Sequence, residues 1–532
     1  FFRWASDRVA ENDIIAFVNN SSFIDSRTFD GFRKVLTQEF NEIRIVDLKG
    51  NARTSGERRR QEGGNVFDNQ IRVGVAIYFC VKKQGAQGCR IFYEAVRDYA
   101  KADEKREFLQ ATPIWHRRFQ EIRPDPQHNW INLPQNDFDR LIPLASREAK
   151  AAKQTSQERA IFKLFSLGVV TARDEWVYDH DPKILQEKVR TIIELYNADL
   201  MKLSSVLDSD HLADMLDYSI KWTRAMKDDL RKGISYTYDS ELIVRSLYRP
   251  FVTRSLYYSK QLNEMRYLQQ QLFPVGFDNS VILISGSSSN KPFQALCTNC
   301  VPCYDVLEKT QSLARYRYDT KGNRTENITD WALDQFKKHY KPGRARPKRP
   351  ITKEAIFHYV YGALHDPVYR DKYALNLKRE FPRIPFHPDF WQWADWGREL
   401  MDLHIGYETV EPYPLQRVDL PAADHPPKAL LKADPDNGRI MLDAQTTLLG
   451  LPPEVWQYRL GNRSALEWIL DQYKEGKPKD PTLRTRFDAY RFADHKEKVI
   501  DLLMRVATVS LRTQAIVNAM RDFHQAANDN RL

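Results

Sequence analysis

A polar loop bounded by glycines, ending in a Phe and running into an apolar stretch, constrains this chain more than any other feature. Residues 62–67 read Glu62-Gly-Gly-Asn-Val-Phe67, and after a short gap comes Arg72-Val-Gly-Val-Ala-Ile-Tyr-Phe-Cys-Val81. Paired glycines open backbone conformations that other residues resist. A run this rich in β-branched and aromatic side chains reads as a buried strand. Upstream, Ile14-Ile-Ala-Phe-Val18 is another apolar strand, followed by Asn19 to Asp25 as a polar loop. Phe29, Phe32, Val35, Leu36 and Phe40 fall on one face at helical spacing, and Ile43-Arg-Ile-Val-Asp-Leu48 is a further strand. Strand, loop, amphipathic helix, strand, long loop, strand is how an α/β sheet domain ends. Periodicity does not give the order of strands in that sheet.

Gly88 to Val96 reads as the last strand of this first unit, and a charged stretch from Arg97 to Arg106 follows. Arg123-Pro-Asp-Pro-Gln-His-Asn-Trp130 carries turn chemistry, which sets a first domain at 1–130 and the next at 131–345. Within the second, Leu185 to Leu200 is a helix and Val281-Ile-Leu-Ile284 a short buried strand. Lys341 to Pro350 is basic and proline-rich, an exposed linker or a phosphate contact, and the third domain runs over 346–532. There Thr352 caps a helix, and Tyr407 to Lys428 reads as irregular. Asn437-Gly438 closes a hairpin between Ala429 and Asp443. Helices near Ser464 to Glu475 and His495 to Met520 precede a frayed tail at Asn528 to Leu532. No internal repeat is visible.

The chain has 532 residues with ordinary hydrophobic content, 42%, so it buries a core and is not generally disordered. Its formal net charge is +10, a mild form of the basic surplus expected of a nucleic-acid binder. No run of 18 apolar residues and no signal peptide occurs. Five Cys argue against a disulfide framework and for a reducing, cytoplasmic compartment.

Phe2-Arg-Trp-Ala-Ser-Asp7, Val18-Asn-Asn-Ser-Ser-Phe-Ile-Asp25, Asp47 to Glu57 and the Gly-Gly-Asn-Val-Phe67 stretch resemble the adenine methyltransferase of the single-polypeptide, type ISP restriction–modification enzymes. Thr171 to Tyr178, Tyr248 to Tyr258, Ile356 to His365 and Arg463 to Tyr473 resemble the specificity region of that family. The resemblance implies the C-terminal part of a Rossmann-like methyltransferase sheet, followed by a mixed α/β specificity region. It also implies double-stranded DNA as partner, S-adenosylmethionine as cofactor of the full enzyme, and nuclease and helicase-like domains elsewhere. One departure matters. The Asn/Asp-Pro-Pro-Tyr/Phe motif and the glycine turn for S-adenosylmethionine are both missing, since the Pro-Pro pairs at 426–427 and 452–453 have the wrong neighbours. The chain is therefore expected to be a fragment, inactive alone, with no catalytic residues of its own. The alternative is a non-catalytic DNA-binding subunit that works with a separate methyltransferase chain.

An enzyme that methylates a base inside a duplex must first swing it out, and the extruded base needs an aromatic face. By resemblance Phe67 is that face; alternatively it caps the following strand as a core residue. Arg53, Arg58, Arg59 and Arg60 lie in the adjoining loop, placed to hold phosphates or simply solvated. Arg173, Arg249 and Arg254 stand among aromatic residues, as guanine readers or as framework stacked on rings. Cys297, Cys300 and Cys303 have metal-ligand spacing but no nearby fourth ligand, so buried or surface thiols are expected and no metal. A metal-dependent hydrolase built on them is the weakest reading. His358 and His365 sit seven apart, a poor metal pair.

Overall fold

The computed structural model describes residues 1–54, 56–126, 128–131, 136–204, 211–287, 289, 291–340, 349–421 and 427–529. Two compact units emerge, Phe1–Asn136 and Asp137–Leu532. Most of the basic linker at 341–350 and the last residues of the tail lie outside the described residues.

In the first unit the chain runs β1 (Ile14–Asn20), α1 (Asp30–Glu39), β2 (Glu42–Asp47), α2 (Gly56–Glu62), β3 (Val75–Val81), β4 (Arg90–Ala95), α3 (Ala102–Ala111) and β5 (Gln120–Ile122). The sheet order is β1-β3-β2-β4-β5. Strand β3 is antiparallel to both its neighbours, with Ile15 opposite Cys80 and Ile45 opposite Tyr78. It is thus inserted between two strands that share a direction, while β2 and β4 are parallel. Alternation along the strands buries Ile15, Ile43, Ile45, Tyr78 and Ile91 with Phe23, Leu36 and Trp130 on one face. Val46, Leu48, Val66 and Val75 pack on the other.

Several expectations for this unit change. Gly88 to Val96 is not the last strand, because β5 pairs beyond β4. The charged stretch becomes α3, with Lys101 N–H donating to Glu104 Oε2 at 2.6 Å in a capping box. The long polar loop contains α2. On α1 Leu36 is buried and Arg33 lies wholly inside, but Val35, and Phe29 just before the helix, are exposed. Arg33 stays there because its guanidinium donates to the carbonyls of Phe23, Ser26 and His128 at 2.6–2.9 Å.

The second unit is mixed α/β with several sheets, mostly antiparallel, Val301–Pro302 pairing in parallel with Ile243–Arg249. One has the order Val301–Pro302, Ile243–Arg249, Val252–Tyr257, Tyr178–Asp179, and another Ala295–Thr298, Val281–Ile284, Gln311–Ala314, Ser166–Leu167. Val281–Ile284 has strands on both edges and is buried along its whole length, which explains its unbroken apolar sequence. The third sheet includes the expected hairpin, with Gly438 at φ +59°. It also takes in Gln416–Asp419 from the stretch expected to be irregular. The main helices are α4 (Pro182–Lys202), α5 (Lys353–Ala363), α6 (Phe390–Ile405) and α7 (Lys496–Asp529), the last running past the expected Met520. Thr352 caps α5, its Oγ1 accepting from Ala355 N–H at 3.1 Å. One hydrophobic core joins Phe138, Leu144 and Phe162 to Phe357, Trp393 and Met520, so residues on both sides of position 345 share it. Among the described residues no helix is long and apolar enough to cross a membrane.

Candidate nucleic-acid interface

Phe67 is 44% exposed, and its neighbours hold it there. Asn65 is buried, and its Nδ2 donates to the carbonyls of Gly50 at 3.1 Å and Val73 at 2.8 Å. Its Oδ1 accepts from Phe67 N–H at 3.0 Å. Val66 turns inward to the core, and Arg106 donates to its carbonyl at 2.8 Å while pairing with Asp68 at 3.2 Å. Asp68 has φ +56°, a left-handed turn that a residue of its type tolerates better than most. The two glycines are required by close approach. A Cβ on Gly63 would stand 2.1 Å from Ala100 O, and one on Gly64 would stand 2.8 Å from Ala102 N. Lys105 is buried and donates to Glu62 O at 2.8 Å, and burial pushes its ammonium down to about 8. A ring on a loop tied at so many points is pre-positioned for contact. Lys105 and Arg106 were not legible as supports of this loop, because they reach it from α3.

The four arginines of the adjoining segment do not act alike. Arg53 and Arg60 are exposed. Arg59 donates to Gly63 O at 2.7 Å, closing the end of its own helix. Arg58 belongs to α2, and its side chain is outside the described residues.

In the second unit, Arg249 and Arg254 each lie 4.1 Å from the centroid of the Tyr248 ring. The Tyr248 hydroxyl donates to Asp174 at 2.8 Å. Arg249 also donates to the Tyr248 carbonyl at 2.6 Å and to Cys303 Sγ at 3.5 Å, and Arg254 to Gln472 O at 3.2 Å. Arg173 is 2% exposed, its guanidinium against Thr223 and Met226, and burial pushes it down to about 10. These heads have partners inside the unit. Beside them opens a cleft of about 700 Å³ lined by Arg173, Asp174, Trp176, Tyr218, Trp222 and Tyr248.

The three clustered cysteines are all buried and face different groups. Cys297 turns to Met401 O, Cys300 to Thr298, and Cys303 to Arg249. His365 lies just past the end of α5, its Nδ1 2.9 Å from Tyr361 O, while His358 lies within that helix.

A family model for the type ISP C-terminal specificity domain matches residues 160–502, well over half of the chain. The chain belongs to that family. Among solved structures it is similar to DrdV in a cryoEM complex with DNA, at 52% identity and a TM-score of 0.90, covering 97% of this chain and 51% of that one. A nuclease-deletion mutant of the type ISP restriction–modification enzyme LlaGI, in complex with a DNA substrate mimic, gives 29% identity and 0.81, covering 98% and 47%. The ATP-dependent type ISP restriction–modification enzyme LlaBIII, bound to DNA, gives 26% and 0.81, covering 98% and 33%. The chain thus spans about half the length of the first two and a third of the last. A search of curated proteins gives no match.

Proposed function

We propose that this chain is the DNA-recognition and target-adenine-holding part of a restriction–modification adenine-N6 methyltransferase. The second unit reads the sequence. The first is the far edge of a Rossmann-like methyltransferase sheet and offers Phe67 to the flipped base. The DNA in the related complexes supports the partner, duplex DNA. The parallel strands β2 and β4, covered by apolar side chains on both faces, support the sheet, since parallel pairing belongs to α/β folds with both faces covered. Arg53 and Arg60, exposed on the segment that leads into the Phe67 loop, are the phosphate-holding candidates there.

S-adenosylmethionine is the methyl donor in this reading. No glycine turn or Pro-Pro-aromatic motif in this sequence fits it, so no step of methyl transfer is assigned to these residues. What the chain supplies is a stacking face and an orientation. Nuclease and motor domains belong to the same proposal, carried by other parts of the complete enzyme.

The pinned, exposed ring of Phe67 carries the assignment. In the complete enzyme Phe67→Ala is expected to lower methylation at least tenfold while site binding changes little, because stacking of about 1–3 kcal/mol per base is realised only after the adenine leaves the duplex. Phe67→Trp should keep part of the activity. Fluorescence of 2-aminopurine at the target position reads base extrusion directly. Unchanged methylation in Phe67→Ala, or an unfolded protein, would make Phe67 a packing residue.

A further inference from the structure

Asp366, His387 and His524 come from three separate places in the second unit: the N-cap of the short helix Pro367–Lys372, the segment before α6, and the last turns of α7. Each offers one ligand atom, and these atoms all lie within 4.8 Å of one another. His524 Nε2 is 2.8 Å and His387 Nε2 3.7 Å from the same oxygen, Asp366 Oδ2. The other carboxylate oxygen accepts from Val368 N–H at 2.9 Å, which fixes the side chain and leaves Oδ2 turned toward the imidazoles. Asp366 and His387 are 1% and 5% exposed. The His387 ring lies flat on Trp393 at 3.6 Å, and its Nε2 is buried with no hydrogen-bond partner among the described residues.

Hydrogen bonding accounts for only half of this arrangement. The contact between His524 and Asp366 is a good one, but 3.7 Å is too long to satisfy His387. An imidazole nitrogen left unpaired in a buried site is costly. A cation among the three atoms removes that cost. In a tetrahedral site with bonds of about 2.0–2.2 Å, ligand atoms stand about 3.3–3.6 Å apart, between the 2.8 Å and 3.7 Å seen here. His524 is partly exposed near the end of a helix, so it is the ligand with room to adjust. Two imidazoles and a hydrogen-bonded carboxylate suit a borderline transition metal better than calcium or magnesium.

We propose that Asp366, His387 and His524 form a divalent transition-metal site of the zinc class, with water in the fourth position, that ties the end of α7 to the helix Pro367–Lys372. It owes nothing to the cysteine cluster and is independent of the DNA-binding reading. The sequence hides it, because its three ligands share no local spacing.

The test uses the whole chain, stripped with a chelator, desalted and titrated with zinc against a chromophoric chelator. One zinc per chain is expected, together with a rise in melting temperature and, on cobalt loading, visible absorption of a tetrahedral site. His524→Gln should weaken zinc at least tenfold and abolish the rise. His387→Phe should do the same while keeping a ring on Trp393, and if it fails to fold, His524→Gln decides the matter. No zinc uptake by the wild type, or uptake equal to that of His524→Gln, overturns the proposal and leaves a hydrogen-bonded latch.

Discussion

Arg173, Arg249 and Arg254 all stand beside aromatic residues in the sequence, and only their places in space decide what they do. Arg249 and Arg254 share the Tyr248 ring, and Arg173 fills a buried position with its guanidinium against Thr223 and Met226. A side chain of that size placed there carries packing as well as charge. Arg173→Ala is therefore expected to cost about 2–4 kcal/mol of stability, read by denaturant melting, and to leave the methylated sequence unchanged. A normally stable Arg173→Ala enzyme that methylates a different sequence would move Arg173 to the reading surface. Phe67 has the opposite character. It is an apolar ring that packing did not absorb, and every residue that fixes it does so through the backbone around it.

At the scale of elements, α5 and α6 show how close packing depends on single atoms. A Cβ on Gly397 would stand 1.8 Å from His358 O, and one on Gly362 would stand 2.5 Å from Trp393 O. Both obstacles are backbone, which cannot swing aside. Gly397→Ala should therefore separate the helices and cost about 3 kcal/mol or more, at the high end for overpacking. Gly31→Ala on α1 meets nothing within 4 Å, and should change stability by less than about 1 kcal/mol. Thermal melting of the two variants side by side checks the contrast; equal effects would mean that α5 and α6 yield without cost.

For the whole molecule the argument rests on charge. A surplus of +10 is modest for this length, so affinity for DNA depends on where the basic groups are concentrated rather than on their number. The purified chain is expected to bind duplex DNA with an affinity that falls steeply with salt, log affinity against log salt having a slope of about −0.9 per neutralised phosphate. It is expected to transfer no methyl group from labelled S-adenosylmethionine. Salt-independent binding would argue against a phosphate-tracking surface, and methylation by the chain alone would place the cofactor site within it.

What the sequence determined by itself is whatever neighbours in the chain decide. Short apolar runs made β1, β2, β3 and Val281–Ile284, Thr352 capped its helix, and Asn437-Gly438 supplied a positive φ where a hairpin turns. The resemblance carried by long matching strings led to the family, because such strings hold identity without any fold being known. Tertiary structure alone decided that β3 enters between β1 and β2, that Arg33 is interior, and that α2 interrupts a loop rich in charge. It alone brought Lys105 and Arg106 to the backbone of the Phe67 loop, and Asp366 to His387 and His524. The reason is one of range. Propensity and periodicity act over a few residues, whereas a buried charge, an inserted strand or a convergent set of ligands depends on which distant backbone carbonyls and side chains the packed core brings within a bond length or two.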